Sequence, residues 1–323
     1  MFKVFVTRDI PKEGLELLKP YCEVEINNLG RSLTKKELLE KIKYKDACIT
    51  QLTDKVDREF FETAPNLKIV ANYAVGFDNI DLDEATKRSI FVTNTPDVLT
   101  QATAELAWAL LFACSRKIVE AEKFTRAGLY KGWDLYSFLG LDISNKTLGV
   151  IGAGRIGQAF AEMSKGFKMN ILYAANSKKH DFEERTGAKF VDLHTLLKES
   201  DFVSIHTPLT PKTYHLIGKK ELSLMKKTAV LINTSRGAVI DEHALAESLE
   251  NKQIYAAGLD VYEKEPIIEE KLKKLDNVVL LPHIGSATYK ARIDMSVLAA
   301  QNILDYLEGK IPRTLVNKDI LKS

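Results

Sequence analysis

The stretch "TLGVIGAGRIGQAFAEMSKGF", residues 147–167, joins an apolar, β-branched run to an amphipathic helical pattern through three glycines. Gly152 permits a tight turn, Gly154 lets the backbone approach a pyrophosphate, and Gly157 lets the helix pack closely on the strand. The amino end of such a helix offers N–H groups and a positive dipole to phosphates. The pattern therefore predicts a dinucleotide-binding turn. A purely structural glycine turn, or the adenosine site of a methyltransferase, shares this motif, so the flanking segments decide between them.

The next strand in the sequence lies within "NILYAANSKK" at residues 170–179, and the residues at its end indicate whether NAD(H) or NADP(H) binds. An acid at the end of this strand normally binds the adenine ribose, and here Ala175 stands in its place. Asn176, Ser177 and Lys178 follow and can donate hydrogen bonds to a 2′-phosphate. The segment favours NADP(H) over NAD(H). A basic loop that simply faces water is the alternative.

Outward from this turn, short β-branched runs alternate with amphipathic helical patterns along nearly the whole chain. This alternation predicts an α/β protein with two Rossmann-like, doubly wound parallel-sheet domains. The glycine turn lies in the second series of strands. We therefore expect an NAD(P)-binding domain at residues 100–285, inserted into a discontinuous substrate domain formed by residues 1–99 and 286–323.

A long helical pattern, "QATAELAWALLFACSRKIVEAEKFTRAG" at residues 101–128, is apolar on all sides over its first half. Such a helix must be buried on all sides. Packing against a second subunit and burial within one chain both satisfy this requirement, and the pattern does not choose between them.

The composition excludes several classes of function. The net charge of the 323 residues is only +2, which gives no electrostatic footprint for nucleic acid or a membrane surface. Three cysteines, widely spaced, form neither a disulfide framework nor a metal-ligand pair. The amino terminus opens directly on a strand pattern, and no apolar run approaches the roughly 20 residues of a membrane span. We expect a cytoplasmic protein.

Three later segments each place a chemically capable side chain just past a strand. Arg236 lies in "AVLINTSRGAVIDE", Asp260 and Glu265 in "AAGLDVYEKEP", and His283 in "NVVLLPHIGSAT". Ligands of open α/β sheets bind outside the carboxyl ends of the strands, so these side chains are expected to converge near the cofactor. The other five histidines show no metal-ligand spacing, and we predict no metal site.

The ordered motifs together resemble the D-isomer-specific 2-hydroxyacid dehydrogenases, and most closely their glyoxylate/hydroxypyruvate reductase branch. The resemblance covers essentially the whole chain and rests on "NYAVGFDNID", "TAELAWALL", "GWDLYSFLGLDI", "GVIGAGRIGQA", "HTPLTPKTYHLI", "NTSRGAVIDE", "GLDVYEKEP" and "LPHIGSAT". It implies reduction of a small 2-oxo acid by NAD(P)H. His283 would be the acid/base, Glu265 its carboxylate partner, and Arg236 the residue that binds the substrate carboxylate.

The resemblance also implies a wider set of binding residues. Leu52, Val75 and Gly76 would contact the substrate, together with Arg236 and His283. The implied cofactor contacts are Thr103, Gly152, Gly154, Arg155, Ile156, Gly157, Ala175, Asn176, Ser177, Lys178, Thr207, Pro208, Thr234, Ser235, Asp260 and Gly285. A homodimer through helix 101–128, and a substrate pocket in the cleft between the domains, are further expectations from the family.

The chain departs from its nearest relatives in one nucleotide-binding position. NADP-using members place an arginine after the second nucleotide strand, where this sequence has Asn176, so phosphate recognition would depend on Ser177 and the lysines. Two other members of the family remain as alternatives, a phosphoglycerate dehydrogenase and a phosphonate dehydrogenase, although the latter carries a lysine where Val75 stands. Outside enzymes, an NAD(H)-sensing corepressor on the same fold is the rival.

Overall fold

The computed structural model describes residues 1–322. They form two compact units. The first unit comprises Met1–Leu99 together with the chain from Ser286 onward, and the second unit comprises Thr100–Gly285.

The first unit begins with five short strands that alternate with four helices. The elements are β1 (Phe2–Val6), α1 (Lys12–Leu18), β2 (Cys22–Ile26), α2 (Lys35–Ile42), β3 (Ala47–Thr50), α3 (Arg58–Thr63), β4 (Ile69–Asn72), α4 (Leu82–Lys87) and β5 (Phe91–Thr93). Helix α2 begins at a capping box, in which Thr34 and Glu37 each accept a hydrogen bond from the other's backbone N–H.

The second unit contains seven strands and seven helices within the described residues. They are α5 (Thr100–Ser115), α6 (Ile118–Arg126), β6 (Thr147–Ile151), α7 (Arg155–Met163), β7 (Asn170–Ala174), α8 (His180–Thr186), β8 (Lys189–Phe190), α9 (Leu193–Glu199), β9 (Phe202–Ile205), α10 (Lys219–Leu224), β10 (Val230–Asn233), α11 (Glu242–Glu250), β11 (Ala256–Leu259) and β12 (Val278–Leu280). The chain then returns to the first unit through α12 (Tyr289–Leu307).

Both sheets are parallel and doubly wound. The strand order is β2-β1-β3-β4-β5 in the first unit and β12-β11-β10-β9-β6-β7-β8 in the second. The order reverses between β1 and β3 in one sheet and between β6 and β9 in the other, and ligands of such sheets bind at these switch points. The predicted fold class is confirmed.

The central strands of the second sheet, β9, β10 and β11, are buried on both faces. Within β10, Val230 and Ile232 pack into the cluster that contains α5 and α7, whereas Leu231 packs into the cluster that contains α9, α10 and α11. Alternate residues of a strand point to opposite faces, so an unbroken apolar run fits a strand buried on both sides. This burial holds the carboxyl ends of the strands in fixed positions.

Helix α5 packs one face against α7 and the strands β10, β11 and β12 of the second unit, whereas Gln101, Glu105 and Ala109 on its other face are exposed. Its Trp108 stacks on Phe160 and Phe167, with ring centroids 5.0 Å and 5.3 Å away, and the indole Nε1 donates to the Phe160 carbonyl at 2.9 Å. Contacts within the chain therefore cover one face of α5, and the pairing of its other face with a second subunit stays a prediction. The helix predicted over residues 101–128 is also interrupted, because Lys117 takes a left-handed conformation with φ 51° between α5 and α6.

Over residues 1–322, the helices are too short or too polar to cross a bilayer. The three cysteines are buried, and all are free.

Candidate active site

The glycine turn lies between β6 and α7, at the switch point of the second sheet. Gly152 has φ +96°, and a Cβ there would lie 2.8 Å from the carbonyl of His206. A Cβ on Gly157 would lie 2.1 Å from the Gly152 oxygen. By contrast, a Cβ on Gly154 would meet nothing within 4 Å, so this side of the turn is open. Gly154 caps α7 without a side-chain hydrogen bond, which leaves the helix amino end accessible to a phosphate.

The loop after β7 carries the predicted nucleotide-selecting residues. Ala175 is half-buried, while Asn176, Ser177 and Lys178 are exposed. Lys178 Nζ lies 3.3 Å from a carboxylate oxygen of Glu183. The neighbouring Lys179 donates to Ser177 Oγ at 3.0 Å. The loop therefore presents a hydroxyl beside an ammonium group, and one of its two lysines already has an acidic partner.

A second group of predicted cofactor residues meets at the carboxyl ends of β10, β11 and β12. A Cβ on Gly285 would lie 3.3 Å from Asp260 Oδ2 and 3.4 Å from Thr103 Cγ2. Asp260 is fully buried and accepts a 2.7 Å hydrogen bond from the Ile284 N–H through Oδ1. Its Oδ2 and the Thr234 hydroxyl are buried and have no hydrogen-bond partner within residues 1–322. Two buried polar atoms without partners fit the contacts expected of a nicotinamide carboxamide.

Burial controls the charge of Asp260. Removal from water raises the pKa of this carboxyl, and the hydrogen bond from Ile284 and the nearby His283 only partly offset this effect.

The remaining adenine-side residues lie after β9 and β10. Thr207 and Pro208 follow β9, and the Ser235 hydroxyl donates to the Thr207 carbonyl. This bond joins the loop of Thr207 to the segment that leads to Arg236. Just before it, His206 bonds the Ser204 hydroxyl at 2.9 Å, and its ring contacts Phe160. These contacts hold His206 at the start of the loop.

The three predicted catalytic side chains follow three adjacent parallel strands. His283 Nδ1 lies 2.8 Å from Glu265 Oε2. The second oxygen of Glu265 accepts a 3.1 Å hydrogen bond from the Tyr262 N–H. Arg236 donates from Nη1 to the Ser235 carbonyl at 2.9 Å, and its charge also acts on Glu265. The structure therefore brings the imidazole, the carboxylate and the guanidinium together at the carboxyl ends of β10, β11 and β12.

The pair of Glu265 and His283 is charge-assisted. Burial alone raises the pKa of Glu265, but the hydrogen bond and charge of His283, the Tyr262 N–H and the charge of Arg236 together bring it below its ordinary value. Glu265 is thus ionised through the neutral range. Its negative charge beside Nδ1 orients the imidazole and stabilises a proton transferred to the ring.

The predicted substrate residues Leu52, Val75 and Gly76 lie in the first unit, after β3 and β4, and all three are partly exposed. Asn79 joins their loops: its Nδ2 donates to the carbonyls of Gln51 and Asp54, at 3.1 Å and 3.0 Å.

Neighbouring polar side chains complete this arrangement. Asn72 donates to the Gly76 carbonyl at 2.9 Å and Asn94 to that of Val75 at 2.8 Å. The buried Asp54 accepts from the Thr7 hydroxyl at 2.5 Å. The backbone of both loops is therefore fixed by asparagine and aspartate side chains.

Residues 108–285 match the family described as D-isomer specific 2-hydroxyacid dehydrogenase, NAD binding domain. A glyoxylate reductase from Thermococcus litoralis is 55% identical over 325 residues, which cover 99% of this chain and 98% of that protein. The chain belongs to this family. The resemblance proposed from the motifs is confirmed, and the cofactor of this dehydrogenase is a nicotinamide dinucleotide.

Solved structures agree with this assignment. A protein from Thermus thermophilus superposes with a TM-score of 0.92 at 42% identity, covering 98% of this chain and all of that one. An NADPH-dependent glyoxylate/hydroxypyruvate reductase from Sinorhizobium meliloti, solved with NADP and malonate, has a TM-score of 0.87 at 32% identity, with 98% and 96% covered.

The sequence did not indicate several residues that support the site of this dehydrogenase. Glu242 reads as an ordinary acid in the first turn of a helix, and Tyr262 as a core aromatic. Asn79 belongs to a quoted motif, but its bonds to the loop of Leu52 join segments that are distant in sequence. Within the described residues there is no cluster of side chains suited to a metal ion.

Proposed function

We propose that this dehydrogenase reduces glyoxylate to glycolate, and hydroxypyruvate to D-glycerate, with NADPH as the preferred reductant. The observation that carries the proposal is the 2.8 Å contact between His283 Nδ1 and Glu265 Oε2, beside Arg236. Full-length similarity to proteins named glyoxylate reductase supports the choice of substrate.

His283 performs the proton transfer. Its Nδ1 is held by Glu265, so Nε2 is the nitrogen left to face the substrate. In the reduction, the cationic ring donates its Nε2 proton to the carbonyl oxygen of the 2-oxo acid, and in the oxidation the neutral ring takes the hydroxyl proton. The bound reduced nicotinamide supplies the hydride that the carbonyl carbon receives. Glu265 stays ionised and stabilises the cation, as the acidic member of a triad does.

Arg236 binds and orients the substrate. A guanidinium offers a planar, bidentate donor to a carboxylate, and it polarises the adjacent carbonyl. In the first unit, Leu52 and the backbone N–H groups of Val75 and Gly76 are proposed as further substrate contacts. We assign the first unit to substrate binding and the second unit, Thr100–Gly285, to cofactor binding.

The dinucleotide is proposed to bind across the carboxyl ends of the strands of the second sheet. Its pyrophosphate would lie on Gly154, Arg155 and Ile156 at the start of α7, where the turn has room. Asp260 and Thr234 would bind the carboxamide through the two atoms that have no other partner in residues 1–322. Thr103 and Gly285 adjoin Asp260 and would contact the same ring.

The preference for NADPH is proposed from the loop after β7. Ala175 removes the carboxylate that would repel a 2′-phosphate, and Ser177 with Lys179 beside it offers donors to that phosphate. The bond between Lys178 and Glu183 weakens the positive charge of the loop. We therefore expect a preference for NADPH with measurable use of NADH.

The test is glyoxylate-dependent loss of NADPH absorbance. We expect His283→Gln to abolish turnover while the Kd for NADPH stays unchanged, and His194→Gln, on an exposed histidine of α9, to behave as the wild type. Cofactor binding without turnover of any small 2-oxo acid would refute the proposal and favour the corepressor. Turnover confined to 3-phosphoglycerate or to a phosphonate would favour the other two members of the family.

We further propose that the enzyme is a homodimer. Large apolar side chains are exposed along α6 and the following loop, and such surfaces mark sites of association. They include Ile118, Leu129, Tyr130, Trp133, Leu135, Tyr136 and Leu139, with Trp133 82% exposed. A dimer mass by light scattering that becomes a monomer mass in Trp133→Glu supports this assignment, and a wild-type monomer refutes it.

A reducing compartment suits three buried, free cysteines, and we propose that the enzyme works in the cytoplasm.

A further inference from the structure

A buried carboxylate outside the predicted catalytic set lies at the first residue of α11. Glu242 is 8% exposed. Its Oε2 accepts a 2.9 Å hydrogen bond from the Glu263 N–H, and its Oε1 accepts a 3.0 Å bond from the Glu269 N–H. These two amides lie on either side of Glu265. One side chain therefore holds both ends of the turn that presents the catalytic carboxylate.

Tyr262 joins the same turn to the strand end that carries His283. Its phenol, 7% exposed, donates to the Leu281 carbonyl at 2.7 Å, and its backbone N–H donates to Glu265. Burial, with nearby carboxylates, raises the pKa of Tyr262 far above its ordinary value, so the hydroxyl remains a donor throughout the working pH range.

The backbone at His283 needs such support. Its φ is 55°, in the left-handed region that a non-glycine residue adopts only when its surroundings hold it there. Hydrogen bonds hold the chain on both sides of this residue: Tyr262 binds the Leu281 carbonyl, and Asp260 binds the Ile284 N–H. The ring direction of His283 therefore depends on contacts made by its neighbours.

The segment of Arg236 joins the same arrangement. A Cβ on Gly237 would lie 1.8 Å from the carbonyl carbon of Tyr262, so the two backbones are in direct contact. The chain continues from Gly237 to Glu242, which binds the far side of the Glu265 turn. The three segments that carry the catalytic side chains are thus fixed to one another through Glu242, Tyr262 and Gly237.

We propose that Glu242 and Tyr262 are positioning residues that set the contact between Glu265 and His283, and that each acts on proton transfer through the backbone of the turn that it binds. This inference rests on the proposed function for its activity readout only. Neither residue touches substrate or cofactor in this role. A purely structural role would lower stability and leave the pH dependence of the enzyme unchanged.

The first test is Glu242→Gln. Glutamine keeps one acceptor oxygen but turns an NH₂ group toward the other amide, so one end of the turn loses its bond. We expect kcat/KM for glyoxylate to fall about ten- to a hundredfold, since misplacement by about 1 Å has this effect. The alkaline limb of the pH profile should move to lower pH, as it does when Glu265 loses its charge. The Kd for NADPH should stay unchanged. Glu250→Gln, on an exposed acid of the same helix, is the control.

The second test is Tyr262→Phe, which removes one hydroxyl and keeps the ring. We expect the same direction of change in kcat/KM and in the pH profile. Tyr255→Phe is the matched control, because the Tyr255 hydroxyl lies in the same unit and has no hydrogen-bond partner in residues 1–322. An unchanged pH profile in both Glu242→Gln and Tyr262→Phe would overturn the proposal, whatever their effect on thermal stability.

A double variant shows whether Glu242 acts on the pH profile through Glu265 or independently of it. If Glu242 acts through Glu265, the alkaline limb of Glu242→Gln/Glu265→Gln should coincide with that of Glu265→Gln alone. A further shift in the double variant would show that Glu242 acts independently, and the inference would be wrong.

A measurement that needs no turnover tests the roles of Glu242 and Tyr262 independently of the proposed function. The His283 ring is followed by NMR in protein labelled at histidine Cε1, with its signal assigned by comparison with His283→Gln. We expect its titration midpoint to move to lower pH in Glu242→Gln and in Tyr262→Phe, and an unmoved midpoint refutes the inference. If the wild type reduces no 2-oxo acid, the proposed function fails, and this titration still decides the role of Glu242 and Tyr262.

Discussion

Replacement of Glu265 by glutamine isolates the charge of the carboxylate from its shape. Glu265 Oε2 lies 2.8 Å from His283 Nδ1, and the two side chains are 34% and 29% exposed. A hydrogen bond to a charged group contributes about 1.5–3 kcal/mol, while fully exposed ion pairs contribute about 0.2–1 kcal/mol. About a third of each side chain is in water. We therefore take about 1.4 kcal/mol as the free energy by which the Glu265 charge favours the cationic ring, which corresponds to a shift of about one pH unit.

The sign of the change follows from the direction of the reaction. The carboxylate favours the cationic ring, and the cationic ring is the form that donates the proton in the reduction. Without the charge, the His283 ring loses its proton at lower pH. The alkaline limb of kcat/KM for glyoxylate reduction should therefore move down by about one pH unit in Glu265→Gln. In the oxidation of glycolate the neutral ring is the active form, so the acid limb should move down by the same amount.

The assay is kcat/KM as a function of pH in both directions at saturating cofactor, with Glu270→Gln as the control. Glu270 is an exposed acid of the same loop that pairs with Lys273. A uniform fall in kcat/KM at every pH, with both limbs in place, would show that Glu265 acts only through geometry. Limbs that move in opposite directions would contradict the acid/base assignment of His283 itself.

Three further predictions concern the cofactor, the substrate loops and stability. Ala175→Asp places a carboxylate beside the 2′-phosphate position, so the ratio of kcat/KM for NADPH to that for NADH should fall by at least about tenfold; an unchanged ratio would place the phosphate elsewhere. Asn79→Ala removes the donor shared by the Gln51 and Asp54 carbonyls, and we expect KM for glyoxylate to rise about tenfold with the Kd for NADPH constant, in contrast to the exposed control Asn28→Ala. Burial raises the pKa of Asp54 in the fold, so stability is lost as the pH rises from the ordinary range of an aspartate to the raised pKa. Asp54→Asn should therefore raise Tm at pH 7, and the gain should shrink toward zero as the pH falls to about 4, the ordinary range of an aspartate; a gain equal at both pH values would show that the fold does not raise the pKa of Asp54.

The sequence was sufficient to predict those parts of the fold in which a local pattern determines the structure. The alternation of β-branched runs and amphipathic helices corresponds to both parallel sheets. Parallel strands place their carboxyl ends on one edge, so the neighbourhood of Arg236 and His283 followed from strand order alone.

The parts that could not be predicted depend on contacts between distant segments. The helix expected over residues 101–128 ends at Ser115, and no glycine or proline marks the left-handed Lys117 that follows. Glu242 and Tyr262 show the same limitation, because a sequence indicates that a carboxylate or a phenol is present but not which amide or carbonyl it meets. Their partners are set by how the loops after β10, β11 and β12 fold over one another.

The register of the second sheet explains why these loops determine the catalytic geometry. Asn233 pairs with Leu259, and Leu259 pairs with Leu280, so β10, β11 and β12 end level with one another. Arg236 and His283 follow their strands closely, whereas Glu265 lies further along the chain, in a turn beyond Tyr262. The sheet therefore fixes where the segments of Arg236 and His283 begin, but it does not fix the carboxylate. The position of Glu265 depends on the bonds that Glu242 and Tyr262 make to its turn, and substitutions of these two residues should alter proton transfer while the sheet and the cofactor turn remain intact.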